Sequence, residues 1–325
     1  MITLNFMEEF KDTKDMYQSL TVADSGCRTV CCPHCRSTAF RKHGFYHRKD
    51  DGRKVRRFRC STCSKTFSRA GFSVFYRHLH RRWNALIGQL LTMGMTQRGI
   101  ARVLGIDKDT VARRLVLLAE VARHKTSTDL ACKTPSQRVQ FDELITLEHS
   151  KLKPLSVLVV SDADTWQILG YKVSRIPASG HLAEKSREKY GYRADESYAA
   201  RHQLLESLKP AINANAEFIT DSHSAYPAVI KRHFPHATHT RHIGGKGAVT
   251  GQGELKKLQF DPLFCINHQL AMLRANISRL FRRSWNTTKR VERLSDHLAI
   301  FQYHYNDNRR PEKRMKYELW MNACG

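Results

Sequence analysis

The sequence predicts an α/β catalytic domain, a mixed five-stranded sheet with helices, preceded by a small cysteine-held module and a helical one. Three observations lead there. Two CxxC pairs, Cys32-Pro-His-Cys35 and Cys60-Ser-Thr-Cys63, sit in a strongly basic stretch. Two short helical segments then meet at Gly105. Beyond them, strand-like and helical segments alternate, and two of the strand-like ones end in aspartates, Asp142 and Asp221.

The chain has 325 residues, enough for two or three domains of ~100–200 residues. Its 55 Lys+Arg oppose 30 Asp+Glu, a formal charge of +25, which points to a polyanionic partner, DNA above all. The charge is concentrated: Arg36 to Arg82 holds fifteen Lys/Arg against Asp50 and Asp51. The longest plain apolar run, Leu155 to Val160, is far short of the ~20 residues a membrane span needs. Met1 to Lys14 mixes acidic and apolar side chains and has no signal-peptide pattern. A cytoplasmic, nucleoid-associated protein is expected, with its nine cysteines as thiols or metal ligands rather than disulfides.

After a leader (1–26), residues 27–72 read as a zinc ribbon. Each CxxC turn aims two thiolates at one centre, and four thiolates suit tetrahedral zinc. The ligands are Cys32, Cys35, Cys60 and Cys63, with Cys31 as a neighbouring competitor. The intervening 24 residues carry Phe40, Phe45, Tyr46 and Phe58 among alternating cations, a hairpin too small to fold without its metal.

Residues 77–123 read as a helix-turn-helix domain. Arg77–Met93 has Leu79, Trp83, Leu86, Ile87, Leu90 and Leu91 at helical spacing. Thr96 caps a short helix bearing Ile100, Ala101 and Leu104, Gly105 makes the turn, and Asp107 caps a helix with Val111, Leu115 and Leu118 inward. Lys108, Thr110, Arg113 and Arg114 are then expected on the major groove or its phosphates. The polar, aperiodic stretch 124–137 reads as a linker.

Residues 138–306 form the catalytic half. Strands are expected at Arg138–Glu148, Leu155–Ser161 and Trp166–Ser174, joined by turns at 151–154 and 162–165. A helix follows over Ser197–Ala214, a short strand over Phe218–Thr220, a helix over Ala225–Phe234, and a fifth strand over Ala237–His242. Asp261-Pro262 opens a further helix, and Arg293–Tyr305 closes the domain before a basic tail, 307–325. This order is that of a ribonuclease H-like domain, whose first and fourth strands are neighbours, so Asp142 and Asp221 are expected to meet. Strand alternation turns Glu143 away, and Asp162 and Asp164 are expected to be solvated in their turn.

These pieces resemble the DDE transposases of bacterial insertion sequences that carry a CPxC zinc ribbon and helix-turn-helix ahead of the core. The likeness rests on the two CxxC pairs, Phe141-Asp142-Glu143, Thr220-Asp221-Ser-His-Ser-Ala-Tyr226 and the closing helices, and covers about residues 30 to 306. It implies an enzyme that binds terminal inverted repeats as a homo-oligomer on DNA. Two divalent ions, Mg²⁺ or Mn²⁺, would support strand cleavage and transfer to target DNA. The family has a Glu early in a helix and a basic residue two turns later. Here Asn267 stands at the Glu position and Arg274 seven residues on, along the same helical face. Glu254, 33 positions after Asp221 in a Gly-rich stretch, is the second choice of third ligand, and His268 the third. Arg279, Arg282, Arg283 and Lys289 are expected to face phosphates. The alternative is a catalytically inactive DNA-binding regulator derived from such an enzyme, which needs the N-terminal modules and not the carboxylates.

Overall fold

The computed structural model describes residues 31–49, 52–76, 78, 80–243, 261–281 and 286–308. The leader, Glu254, Arg282, Arg283 and all of the tail beyond 308 lie outside the described residues. Those described fall into two compact units, one up to Gln89 and one from Leu90 onward.

The first unit is built on a three-stranded antiparallel sheet, β1 (Phe40–His47), β2 (Lys54–Cys60) and β3 (Thr66–Ser68), in that order. The register slips between Lys42 and Phe45, where Gly44 adopts φ +71, a conformation that costs a glycine little. The core is small: Cys32, Cys60 and Phe67 are buried, with Phe40, Phe58 and Phe72 packed on them. Cysteines therefore make up much of this cluster; Phe75, Ala85 and Ile87 are buried further along the unit.

α1 (Trp83–Leu91) contains the division point and starts later than the expected Arg77. α2 (Gln97–Leu104) opens on the Thr96 hydroxyl, which accepts from the Gly99 N–H at 3.1 Å, and closes on Gly105 at φ +64. α3 (Lys108–Ala131) opens on the Asp107 carboxylate, which accepts from the Asp109 N–H at 2.8 Å. Val111, Leu115 and Leu118 are buried along it. The expected linker is helical as far as Ala131. Burial of Val121, Ala122 and Thr126 carries the helix on, and Arg123 pairs with Asp296 at 2.7 Å on the last helix.

The second unit's sheet has five strands in the order β6-β5-β4-β7-β8. They are β4 (Ser136–Glu148), β5 (Ser150–Asp162), β6 (Ile168–Arg175), β7 (Ile212–Asp221) and β8 (Thr238–His242). β4, β5 and β6 form an antiparallel meander, whereas β7 and β8 run parallel to β4. The first turn is tighter than expected. It pivots on His149 at φ +62, so Lys151–Pro154 belong to β5.

Helices cover both faces. On one, α5 (Ser197–Leu208) and α6 (Tyr226–His233) supply Leu204, Leu205, Val229 and Ile230 to a core with Val139, Phe141, Val160 and Phe218. On the other, α7 (Phe264–Asn276) and α8 (Val291–Asp307) pack Ile266, Leu270, Leu273 and Leu298 on Leu144, Val157, Val159 and Ile219. α5 ends earlier than the expected Ala214, at Lys209-Pro210, because a proline ring cannot continue a helix interior; the freed residues lengthen β7. α4 (Ala183–Tyr190) was not anticipated, since Ala183-Glu-Lys-Ser-Arg-Glu-Lys-Tyr190 has no apolar stripe. No helix among the described residues is long and apolar enough to cross a membrane.

Candidate active site and metal centre

β4 and β7 pair in parallel with Arg138 beside Glu217, Val139 beside Phe218 and Gln140 beside Ile219. Two residues further along each strand stand Asp142 and Asp221. The same offset puts them at one level, and alternation puts both on the face covered by α7. Asp142 is thus mid-strand rather than at a strand end. β5 keeps pairing with β4 beyond it, Asp142 beside Val159 and onward to Leu147 beside Pro154, while β7 stops at Asp221. Asp221 shapes its own turn, Oδ1 accepting the His223 N–H at 3.0 Å, as Asp does in Asx turns.

The electrostatics follow from burial first and from this closeness second. Burial pushes the Asp142 carboxyl up, and the Glu143 N–H, donating to Oδ1 at 2.7 Å, pulls it back. The charges of Asp221 and Glu143 raise it and Arg274 lowers it, leaving it at about 6. Behind the pair, the Tyr226 phenol is pushed strongly up by burial and then by Glu143, Asp142 and Asp221. Its ring meets Phe141 at 4.6 Å.

Glu143 faces the opposite side, as alternation requires. It accepts from Arg201 Nε and from Ser156 Oγ, both at 2.5 Å, and so ties α5 to the sheet. Gln140 was missed by sequence reasoning. Its Nε2 donates to the Pro262 carbonyl at 2.7 Å and its Oε1 accepts the Ile266 N–H at 3.1 Å. It therefore pins the start of α7 one side-chain step below Asp142. The available signal was a glutamine at an inward position of an apolar strand.

On α7, Asn267 is exposed and its Nδ2 donates to Asp261 Oδ2 at 2.9 Å. Arg274, half-buried, acts on Asp142 through its charge. His268 packs its ring on Trp166 at 5.4 Å and Phe264 at 6.1 Å. Trp166 belongs to the β5–β6 turn, which follows Asp162, the partner of Val139 three positions before Asp142. α7 itself starts at Phe264 rather than Pro262, because the Asp261 carboxylate turns in to accept the Leu263 N–H at 3.0 Å.

Several expected surface charges are placed otherwise. Asp162 is buried, not solvated. Burial alone would raise its carboxyl, but Lys133 at 2.7 Å, Ser136 at 2.6 Å and the Thr165 N–H bring it below the usual range. Arg114 is buried between Val111, Leu115 and Leu118, on the inner side of α3, whereas Lys108 and Arg113 are exposed and Thr110 half-exposed. Arg279 is half-buried, donates to His297 Nδ1 at 3.2 Å and is pushed down by burial. Lys289 is exposed, beside Thr287.

In the first unit the sulfurs of Cys32, Cys35, Cys60 and Cys63 all lie within 4.8 Å of one another and could hold a metal ion. Cys32 meets Cys63, and Cys35 meets Cys60, at 3.5 Å. The Cys63 N–H leads in pulling the Cys60 thiol down to about 6. For Cys35 the Ser37 N–H pulls down, but burial and the three neighbouring sulfurs outweigh it, to about 12. Four sulfurs in so small a volume cannot all ionise without a cation.

No family model and no curated protein matches the chain. Among solved structures, a piggyBac transposase synaptic complex with hairpin DNA is similar at a TM-score of 0.31 and 11% identity, over 77% of this chain and 72% of that one. At that score the likeness settles neither fold nor function.

Proposed function

We propose that this chain is a DDE-type transposase with a ribonuclease H-like core, cutting and joining DNA at Asp142 and Asp221. The observation that carries the reading is their position at one level of two adjacent parallel strands, with Asp142 raised to about 6 partly by Asp221. Two carboxylates crowded in this way fit a divalent cation, and Mg²⁺ or Mn²⁺ suits hard oxygen donors. When bound, such ions activate a water or a 3′-hydroxyl and stabilise the leaving oxygen. Asn267 would be the third ligand through its amide oxygen, its Nδ2 being occupied by Asp261. Arg274, close enough to act on Asp142, draws the scissile phosphate toward the pair. Gln140 holds α7 at the depth that both roles require.

The remaining residues hold the DNA. Zinc on Cys32, Cys35, Cys60 and Cys63 fixes the basic hairpin, and Lys108, Thr110 and Arg113 present α3 to the duplex. Joining two element ends calls for at least two copies on DNA.

One observation favours a second reading, a DNA-binding regulator. Among the described residues no third acidic or histidine side chain closes on Asp142 and Asp221. Cleavage of end-containing DNA in Mg²⁺ or Mn²⁺ separates the two. Metal-dependent nicking that disappears in Asp142→Asn and Asp221→Asn, with DNA binding kept, supports the enzyme. Tight binding without nicking in the wild type supports the regulator.

A further inference from the structure

A concave groove of about 400 Å³ lies within the N-terminal unit, at the small end of the ~300–1,000 Å³ typical of small-molecule sites. Tyr46, Arg48 and Lys49 come from the end of β1 and beyond, Arg57 from β2, and Tyr76 and Arg81 from the segment after β3. Thr66, Phe67 and Ser68 supply its β3 wall, and among the described residues lining it none is acidic. Tyr46 is held in place by its hydroxyl, 3.3 Å from Ser68 Oγ. The Arg57 guanidinium sits 5.2 Å from the Tyr46 ring centroid. Tyr76 is 46% exposed. His78 also lines the groove, and its buried Nδ1 has no hydrogen-bond partner among the described residues.

The backbone of an intact duplex asks for spread positive charge, which the exposed Arg41, Lys42 and Arg53 of the hairpin already offer. It makes no use of a concave aromatic wall. A nucleobase does, because every base has a π-face that stacks on tyrosine or on a guanidinium plane. A base inside the duplex stack cannot enter such a groove, so the occupant has left the stack.

We propose that this groove seats one unpaired nucleotide of a DNA strand. Its base lies against Tyr76 and the Arg57–Tyr46 pair, and its phosphate meets Arg48, Lys49 and Arg81. The proposal rests on the DNA reading above and adds to it a preference for distorted or single-stranded DNA, located in the metal-bound ribbon rather than in the catalytic half.

The test uses the zinc-loaded full chain and two probes, a blunt duplex and the same duplex with one extra unpaired 2-aminopurine. The bulged probe is expected to bind on the order of tenfold tighter, within the range for one stacked base, and its fluorescence to fall on binding. Tyr76→Leu should abolish both the preference and the quenching while blunt-duplex binding persists. Arg48→Ala with Lys49→Ala should weaken both probes. Equal affinity for the two probes in the wild type overturns the proposal and leaves the DNA reading standing. A preference that survives Tyr76→Leu, in protein retaining its zinc, also overturns it. Failure to bind either probe removes the DNA reading itself.

Discussion

Replacing Asp142 with asparagine should make the metal-free protein more stable at neutral pH. Asp142 is raised from an ordinary 3.8 to about 6, so the fold prefers its neutral form. At ~1.4 kcal/mol per pH unit, keeping the carboxylate ionised costs the fold about 3 kcal/mol at most. Partial exposure lowers that to ~1–2 kcal/mol. The sign follows from proton counting. Between about 4 and 6 the folded state binds more protons than the unfolded chain, so this group's contribution to stability falls as pH rises through that window. Asparagine removes the charge and keeps an oxygen to accept the Glu143 N–H. Thermal unfolding in EDTA should therefore show Asp142→Asn melting a few degrees above wild type at pH 7.5. The gap should shrink towards pH 5, and Mg²⁺ should raise the wild-type midpoint more than the variant's. An equal or lower midpoint for the variant at pH 7.5 would refute the argument that burial, helped by the neighbouring carboxylates, makes an ionised Asp142 costly to the fold.

Four other outcomes are expected. Gln140→Leu leaves the Pro262 carbonyl and the Ile266 N–H without their partner. It should cost ~1–3 kcal/mol in denaturant unfolding and depress cleavage more than DNA binding. Arg201→Met strands Glu143 beneath the site, and a loss of ~3–5 kcal/mol is expected by the same measurement. Arg113→Ala should weaken DNA binding and flatten its salt dependence by about one phosphate contact, whereas Arg114→Ala, at a buried position, should show up in stability. Metal analysis should find one zinc per chain, lost in Cys60→Ser and retained in Cys31→Ser.

What sequence could reveal divides along physical lines. Caps and turns are local, so Thr96, Gly105 and Asp107 were read where they act. The CxxC pairs were equally plain, because ligand spacing is written in the chain. Strand alternation sufficed to turn Glu143 away from Asp142. Features set by partners distant in sequence were harder. Asp142 lies mid-strand because β5 goes on pairing with β4, and α3 runs through the expected linker because α8 packs against it. Asp162, Arg114 and Arg279 look like surface charges until the side chains that bury them are known. Gln140 acts through a backbone carbonyl and an amide 122 and 126 residues away, a relation no local pattern encodes.

The proposed chemistry depends on Asp142 and Asp221 jointly holding a divalent cation. Mn²⁺ titration of the zinc-loaded protein, followed by the electron paramagnetic resonance signal of free Mn²⁺, tests it most directly. Wild type should take up Mn²⁺, and Asp142→Asn and Asp221→Asn should each abolish that uptake. Undiminished uptake in both variants would show that the two aspartates are neighbours without being a metal site.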